Sequence, residues 1–334
     1  MMQIYKNTES LDKIPVKTSG SSHVCTGSKC ANLDTLAQLR TFDKKEGYKS
    51  LQKRALSKWL TNELLFPLID LESPLNKSYW NSYYCVRHLI QSKDGSVTSK
   101  YCKNRWCIVC NRIRTAKLIK GYEPSIAEFP NPQFVTLTLP NVSGSELADT
   151  LNHMSLSYRK IMEGTRKHKD INPQGIRKTE VTYNDKTGLY HPHYHLIVNN
   201  LPESEHIVSR WLKLIPEANI KGQDIRKSTD GSTIELFKYF TKLYKKGDDG
   251  VVQPYAPEVM DTIFRILKNK RVVQPFGSVK AVSSDFESLE ATVFLEENRQ
   301  IIWEWIHDAR TWIDLETGEM RVEPLEPLKP LNQK

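Results

Sequence analysis

Two histidines spaced two residues apart, His193 and His195, lie in the run His191 to Val198 (HPHYHLIV). The run alternates and ends apolar, which predicts a β-strand. Side chains two apart on a strand share a face. His193 and His195 therefore point together, and Tyr194, Leu196 and Val198 point the other way, toward a core. Two imidazoles on one face of a rigid strand can hold a divalent metal. Glu180 is close at hand, on the polar face of a second predicted strand, Ile176 to Tyr183, joined to the first by the turn Asn184 to Gly188. Strands so connected pair as a hairpin, which brings Glu180 beside the imidazoles. One carboxylate and two imidazoles leave coordination positions open for water and substrate, a donor set that suits Mg²⁺ or Mn²⁺ with a phosphate.

A second group of reactive side chains falls between Thr233 and Lys246, read as one helix closed by Gly247. At about 100° per residue, Glu235, Tyr239, Lys242 and Lys246 share one arc. Leu236, Phe237, Phe240, Leu243 and Tyr244 share the opposite, apolar arc. A tyrosine oxygen can attack phosphorus once a nearby cation helps it lose its proton. Lys242 is placed to stabilise the phenolate or the phosphate charge. Glu235 can serve as general base for a second attack, by water or by a DNA hydroxyl.

The third group is cysteine. Cys85, Cys102, Cys107 and Cys110 cluster in the sequence, and the last two have the two-residue gap of a metal knuckle. The expected structural Zn²⁺ ligands are Cys85, Cys102, Cys107 and Cys110, with His88 a substitute for either Cys85 or Cys102. Lys100, Lys103, Arg105, Arg112, Arg114, Lys117 and Lys120 surround them, with Tyr101 and Trp106 interleaved. That mixture suits phosphate contacts and base stacking, or a solvated basic face. Cys25 and Cys30 lie in a stretch without periodicity, residues 1 to about 45, read as mostly a mobile tail; isolated thiols are expected there, a second metal site being the alternative.

The elements that must position these groups are legible from period. Phe134 to Leu139 is a strand with Val135, Leu137 and Leu139 on one face and Thr136 and Thr138 on the other. Residues 144–163 form a helix with a stripe at Leu147, Leu151, Met154, Tyr158 and Ile161. A helix over 203–214, a short strand at Asp224 to Arg226 and the Glu235 helix complete the order β-α-β-β-α-β-α. A small antiparallel sheet with packed helices, an α+β fold, follows. An N-terminal helix over Ser50 to Leu71 is interrupted near Pro67, and residues 256–268 form another amphipathic helix. Trp303, Trp305 and Trp312 stack on bases or pack a core, and Trp312 to Val322 makes a hairpin turning near Thr317 and Gly318.

The whole chain fits this chemistry. It has 334 residues, a net charge of +9, and is 39% hydrophobic and 26% charged. These totals exclude a disordered chain and suit an anionic partner. No apolar run approaches the ~20 residues that span a bilayer, and Met1 to Thr8 has no signal-peptide core. A cytoplasmic protein with no membrane partner is expected.

The motifs together resemble the HUH endonucleases, and specifically the plasmid rolling-circle replication initiators of the Rep class with an N-terminal cysteine module. Phe134 to Thr138 corresponds to the first motif, Glu180 to Tyr183 with His191 to His195 to the second, and Glu235 to Lys242, with its tyrosine-x-x-lysine, to the third. Tyr101 to Cys110 looks like that class's cysteine signature, with Ile108 where proline is usual; Lys270 to Gly277 looks like the segment that follows the nuclease. The resemblance covers about residues 85–280. It implies an HUH-like sheet preceded by a zinc module, Tyr239 as the nicking nucleophile and Glu235 as a residue that helps terminate. It also implies a 5′-phosphotyrosine link, a 3′-hydroxyl primer, origin DNA as single strand or hairpin, and a host helicase and polymerase as partners. The domains implied are a variable, partly flexible region over 1–75, the cysteine module over 76–122, the nuclease over 130–248, and a C-terminal helical region and tail over 249–334. A mobilisation relaxase or HUH transposase would share the chemistry, and a zinc-dependent DNA-binding regulator would bind without cleaving.

Overall fold

The computed structural model describes residues 44–91, 97–165, 171–238, 241, 243–246, 252–283 and 301–325. Helices α1 (Lys44–Ile69) and α2 (Asn76–Tyr83) come first, then strands β1 (His88–Gln91) and β2 (Val97–Thr98) and helix α3 (Ile108–Ala127). The central part runs β3 (Gln133–Thr138), α4 (Leu147–Thr165), β4 (Gly175–Asn184), β5 (Leu189–Val198), α5 (Leu201–Leu214), β6 (Asp224–Lys227) and α6 (Asp230–Phe237). This is the β-α-β-β-α-β-α order read from the periodicities. After it come β7 (Tyr244–Lys246), β8 (Val252–Pro254), α7 (Pro257–Leu267), β9 (Val273–Phe276), β10 (Ile301–Ile306) and β11 (Thr311–Asp314).

The central sheet is antiparallel, in the order β6-β3-β5-β4-β9. Its β4–β5 hairpin turns where Asn184 accepts from the Lys186 N–H through its side chain and from the Gly188 N–H through its carbonyl; Gly188 takes φ +69°. That left-handed conformation costs glycine nothing and a side chain about 1 kcal/mol or more. Alternation gives the sheet two unlike faces. Val135, Leu137, Val181, Tyr194, Leu196 and Val198 point into a large core closed by α4, α5 and α7 and by the C-terminal half of α1. The helix stripe Leu147, Leu151, Met154, Tyr158 and Ile161 is buried there as its period requires. The opposite face carries Phe134, Ile176 and Ile197, covered by Leu118 and Tyr122 of α3 and by Leu236 and Phe237 of α6.

A second sheet, ordered β11-β10-β1-β2, builds the cysteine lobe. Its core joins Cys85, Cys107 and Cys110 to Leu51, Ala55, Trp303, Trp305 and Trp312. The three tryptophans are thus core residues, and Trp312 donates its indole N–H to the Val86 carbonyl. The hairpin after Trp312 forms with an Ile313–Met320 bridge and Gly318 at φ +74°.

Several expectations are corrected. The helix expected over 233–246 stops at Phe237; Thr241 bridges Val181 instead, and Tyr244–Lys246 pairs with Val252–Pro254 as a strand. The C-terminal region expected to be helical holds one helix, α7, and four strands among its described residues, β8 to β11. Of these, β9 completes the central sheet and β10 with β11 completes the cysteine lobe. Helix α1 runs through Pro67 to Ile69, because the donor that proline lacks is missed only in the last turn. Trp106 is no stacking platform: it is buried against Phe264 at 5.4 Å and Tyr79 at 5.9 Å. The 1–43 segment with Cys25 and Cys30, and Tyr239, Phe240 and Lys242, lie outside the described residues. Among the described residues, no helix is long and apolar enough to cross a membrane.

Candidate functional site

The β4–β5 register sets Glu180 directly opposite His193. His195 lies one pleat along, opposite Thr136 of β3. Glu180, His193 and His195 each offer a ligand atom, and these atoms lie within 4.8 Å of one another. His195 Nε2 lies 3.8 Å from Glu180 Oε2. Ligands at ~2.1 Å from a shared ion stand about 3 Å apart when adjacent, so the three atoms lie near the spacing that a shared ion needs.

Neighbours fix both rings. His193 Nδ1 is 3.1 Å from the His191 carbonyl, which can only accept, so Nδ1 carries the proton and Nε2 the lone pair. His195 Nδ1 is 3.2 Å from Thr136 Oγ1, and its ring lies against Phe134. Burial, and secondarily His193, lowers the His195 pKa to about 3. Burial also lowers His193. Both are neutral at pH 7, the form that ligates. Burial alone would raise Glu180; the Lys178 ammonium beside it outweighs burial and holds the carboxylate below its usual range. The Lys178 ammonium is 2.7 Å from Glu180 Oε2, in a side chain only 1% exposed.

Lys178 was not singled out from the sequence. Its signal was there: it sits two residues before Glu180, on the same strand face. His191 is a neighbour rather than a ligand, stacked on His193 at 5.1 Å with Nδ1 2.8 Å from Asn141 Oδ1.

Glu235 stands at the end of α6. Its carboxylate accepts from Arg226 at 2.9 Å, and its carbonyl is 3.5 Å from Lys178 Nζ. The described chain therefore arrives beside the Glu180 cluster at Glu235, four residues before Tyr239. Tyr244, the other nearby tyrosine, donates its hydroxyl to the Leu60 carbonyl at 2.7 Å.

The second cluster is the four cysteines, Cys85, Cys102, Cys107 and Cys110, again within 4.8 Å. Cys85 Sγ is 3.5 Å and Cys102 Sγ 3.7 Å from Cys110 Sγ. Tetrahedral Zn–S bonds of 2.3 Å would put the sulfurs about 3.8 Å apart, so the donor set fits such an ion. Sulfhydryl hydrogen bonds from Cys107, Cys110 and Cys85 hold Cys102 well below the usual thiol range, whereas burial drives Cys107 up. Four sulfurs this close need a cation before all can ionise. Val86 and Lys103, each following a cysteine, take φ of 56° and 61°. Positive φ in a buried valine is costly and marks a constrained site.

His88 is not part of this cluster. It lies on β1, half-exposed, 3.9 Å from Glu304. Ile108 supplies what proline could not, an N–H that donates to Thr61 Oγ1 at 3.0 Å. Lys58, also missed in the sequence, is buried beside the thiols with its ammonium donating to the Tyr83 carbonyl. Burial lowers its pKa to about 8 despite Cys85, Cys107 and Cys102.

The basic residues around the cysteines divide. Arg105 donates to the Leu267 and Lys270 carbonyls, and Arg112 to Lys53 O and Ser57 Oγ, so these two fasten the lobe to α7 and α1.

Residues 96–206 match the family model described as Replication protein (Rep_1). That span holds Cys102, Cys107, Cys110, Glu180, His193 and His195, and ends before Glu235. A protein called "Protein rep" from Streptococcus pneumoniae serotype 2 is 29% identical over 47% of this chain and 57% of its own length. Another, from Staphylococcus aureus, is 28% identical over 42% of this chain and 69% of its length. A third, from Bacillus amyloliquefaciens, is 30% identical over 34% of this chain and 37% of its length. The chain thus spans between about a third and two thirds of these relatives. No solved structure matches it. The likeness to Rep initiators read from the motifs is borne out: residues 96–206 are similar to the Rep_1 family of replication proteins, and the relatives that match are replication proteins.

Proposed function

We propose that the chain is a plasmid replication initiator that nicks one DNA strand at its origin in the manner of an HUH endonuclease. The observation that carries the reading is the Glu180–His193–His195 cluster, with both imidazoles neutral and Nε2 of His193 free of its proton. A bound Mg²⁺ or Mn²⁺ would supply positive charge to the non-bridging oxygens of the scissile phosphate. The residues do the rest. Tyr239 gives up its hydroxyl proton, and its oxygen attacks phosphorus. The bond to the 3′ oxygen breaks, that oxygen takes a proton, and a 5′-phosphotyrosine link and a 3′-hydroxyl primer result. Lys242 steadies the phenolate, and Glu235 serves as base for the second attack that ends the cycle, Arg226 holding its carboxylate in place. Zn²⁺ held by Cys85, Cys102, Cys107 and Cys110 would fasten the neighbouring lobe. Host helicase and polymerase then extend the primer.

The test is covalent trapping. Labelled single-stranded DNA from the chain's own replicon is incubated with protein and Mn²⁺, run on a denaturing gel, and the linked peptide mapped. An adduct on Tyr239 that disappears in Tyr239→Phe is expected. Sequence-specific binding with no adduct, or an adduct that survives Tyr239→Phe, overturns the reading.

A further inference from the structure

A cavity of about 750 Å³ opens between α3, the end of α6 and the edge strand β9, on the sheet face that carries Glu180 and the histidines. Five cations line it. Arg105 and Arg114 come from the cysteine lobe, Lys178 from β4, Lys238 from the end of α6, and Arg271 from the approach to β9. No aspartate or glutamate is among the described residues that line it. The floor is apolar, with Leu118, Tyr122 and Phe237 buried beneath it and the two rings stacked at 5.5 Å.

Gathering like charges is costly, and an anion recovers the cost. Arg105 is locked in place by two carbonyls, so the cationic wall is built before any ligand arrives. Lys178 joins the cavity to the metal cluster, since its ammonium also touches Glu180. The segment after β9 adds Ala281, Val282 and Ser283 to the lining. Val282 donates its N–H to Tyr122 Oη at 3.3 Å, and a Cβ on Gly121 would meet Val282 Cγ1 at 2.3 Å.

Cations over an apolar floor fit a nucleotide better than a bare phosphate, and the volume lies within the ~300–1,000 Å³ of small-ligand sites. We propose that this cavity receives a nucleotide of the single strand flanking the scissile phosphate, its base on the Leu118–Tyr122–Phe237 floor and its phosphate among Arg105, Arg114, Lys238 and Arg271. The cysteine lobe is then one wall of the DNA path as well as a metal-fastened support. That the strand is the one to be cut rests on the nicking reading above; the nucleotide site itself does not.

The experiment is fluorescence anisotropy of the full-length, zinc-loaded chain with labelled oligothymidylate of about 12 nucleotides, without added divalent metal, over a salt series. Lys238→Gln with Arg271→Gln removes two exposed cations; Lys160→Gln with Lys213→Gln removes two from the helices on the other face. The cavity variant is expected to bind about tenfold more weakly and to lose roughly 0.7 from the slope of log affinity against log salt, the share of one phosphate contact on a single strand. The control pair should stay within about twofold. Equal effects in both pairs, or none in the cavity pair, overturn the proposal. So does thymidine monophosphate binding at these residues where the oligonucleotide does not, which would assign the site to a free nucleotide. Unchanged melting temperature and zinc content establish that the cavity pair is folded, and Arg271→Gln alone should give half the slope change. If the cavity pair weakens binding while wild type forms no tyrosine adduct, the site stands and the nicking reading falls. If adduct forms and the cavity pair binds normally, only the site falls.

Discussion

Acid stability tests the candidate site quantitatively through His195. Folding takes its pKa from the ordinary 6.5 to about 3, because burial penalises the charged ring and His193 adds to the penalty. Below 6.5 the unfolded chain binds a proton that the folded chain refuses. The stabilisation is therefore complete above 6.5 and drains away as the pH falls from there toward about 3. At ~1.4 kcal/mol per unit, the loss between about pH 7.5 and about pH 5 is roughly 2 kcal/mol for this one histidine. The side chain is 12% exposed, so solvent screening removes little of it. The assay is urea unfolding of zinc-loaded wild type and His195→Asn at both pH values, without added divalent metal. The cysteines and the carboxylates away from the cluster titrate alike in the two proteins, so the difference of differences reports His195 together with its couplings to His193 and Glu180. Wild type should lose roughly 2 kcal/mol more than the variant, a midpoint shift of about 1 M urea at a slope of ~2 kcal/mol per M. Equal losses in the two proteins would refute the buried neutral imidazole on which the metal assignment depends.

Two further outcomes follow from the geometry. His88→Ala should retain one equivalent of zinc by elemental analysis, because His88 faces Glu304 rather than the sulfurs, whereas Cys107→Ser should lose the metal and destabilise the lobe by at least about 3 kcal/mol. Gly175→Ala should cost about 3 kcal/mol in thermal unfolding, since its Cβ would stand 2.1 Å from the Ile197 carbonyl oxygen and 2.7 Å from the Phe276 ring; a neutral substitution would mean that β4 and β9 approach less closely than described.

By itself, the sequence determined everything that rests on period and on short chemical spacing. Alternation in Phe134 to Leu139 and in His191 to Val198 assigned each side chain its face, because a strand has only two. The short turn from Asn184 to Gly188 forced the strand before it, Ile176 to Tyr183, to pair with the histidine strand, and pairing brought Glu180 to His193. The two-residue gap of Cys107 and Cys110 put both sulfurs at one helix start, and Cys85 and Cys102 join them there.

The rest of the fold depends on contacts between distant segments. Thr233 to Lys246 has a helical period throughout, yet the helix ends at Phe237, because Thr241 donates to the Val181 carbonyl and Tyr244 reaches Leu60. Those long-range bonds outweigh a propensity worth a few tenths of a kcal/mol per residue. The arc that joined Glu235 to Lys246 is lost with the helix. In the same way, nothing local says that β9 joins the central sheet across from β4, or that β10 pairs with β1 more than two hundred residues away. Those pairings wall the cationic cavity and bury three tryptophans around the cysteines. A strand edge accepts any strand whose register buries its apolar face, and which one comes is settled only when the whole chain has packed.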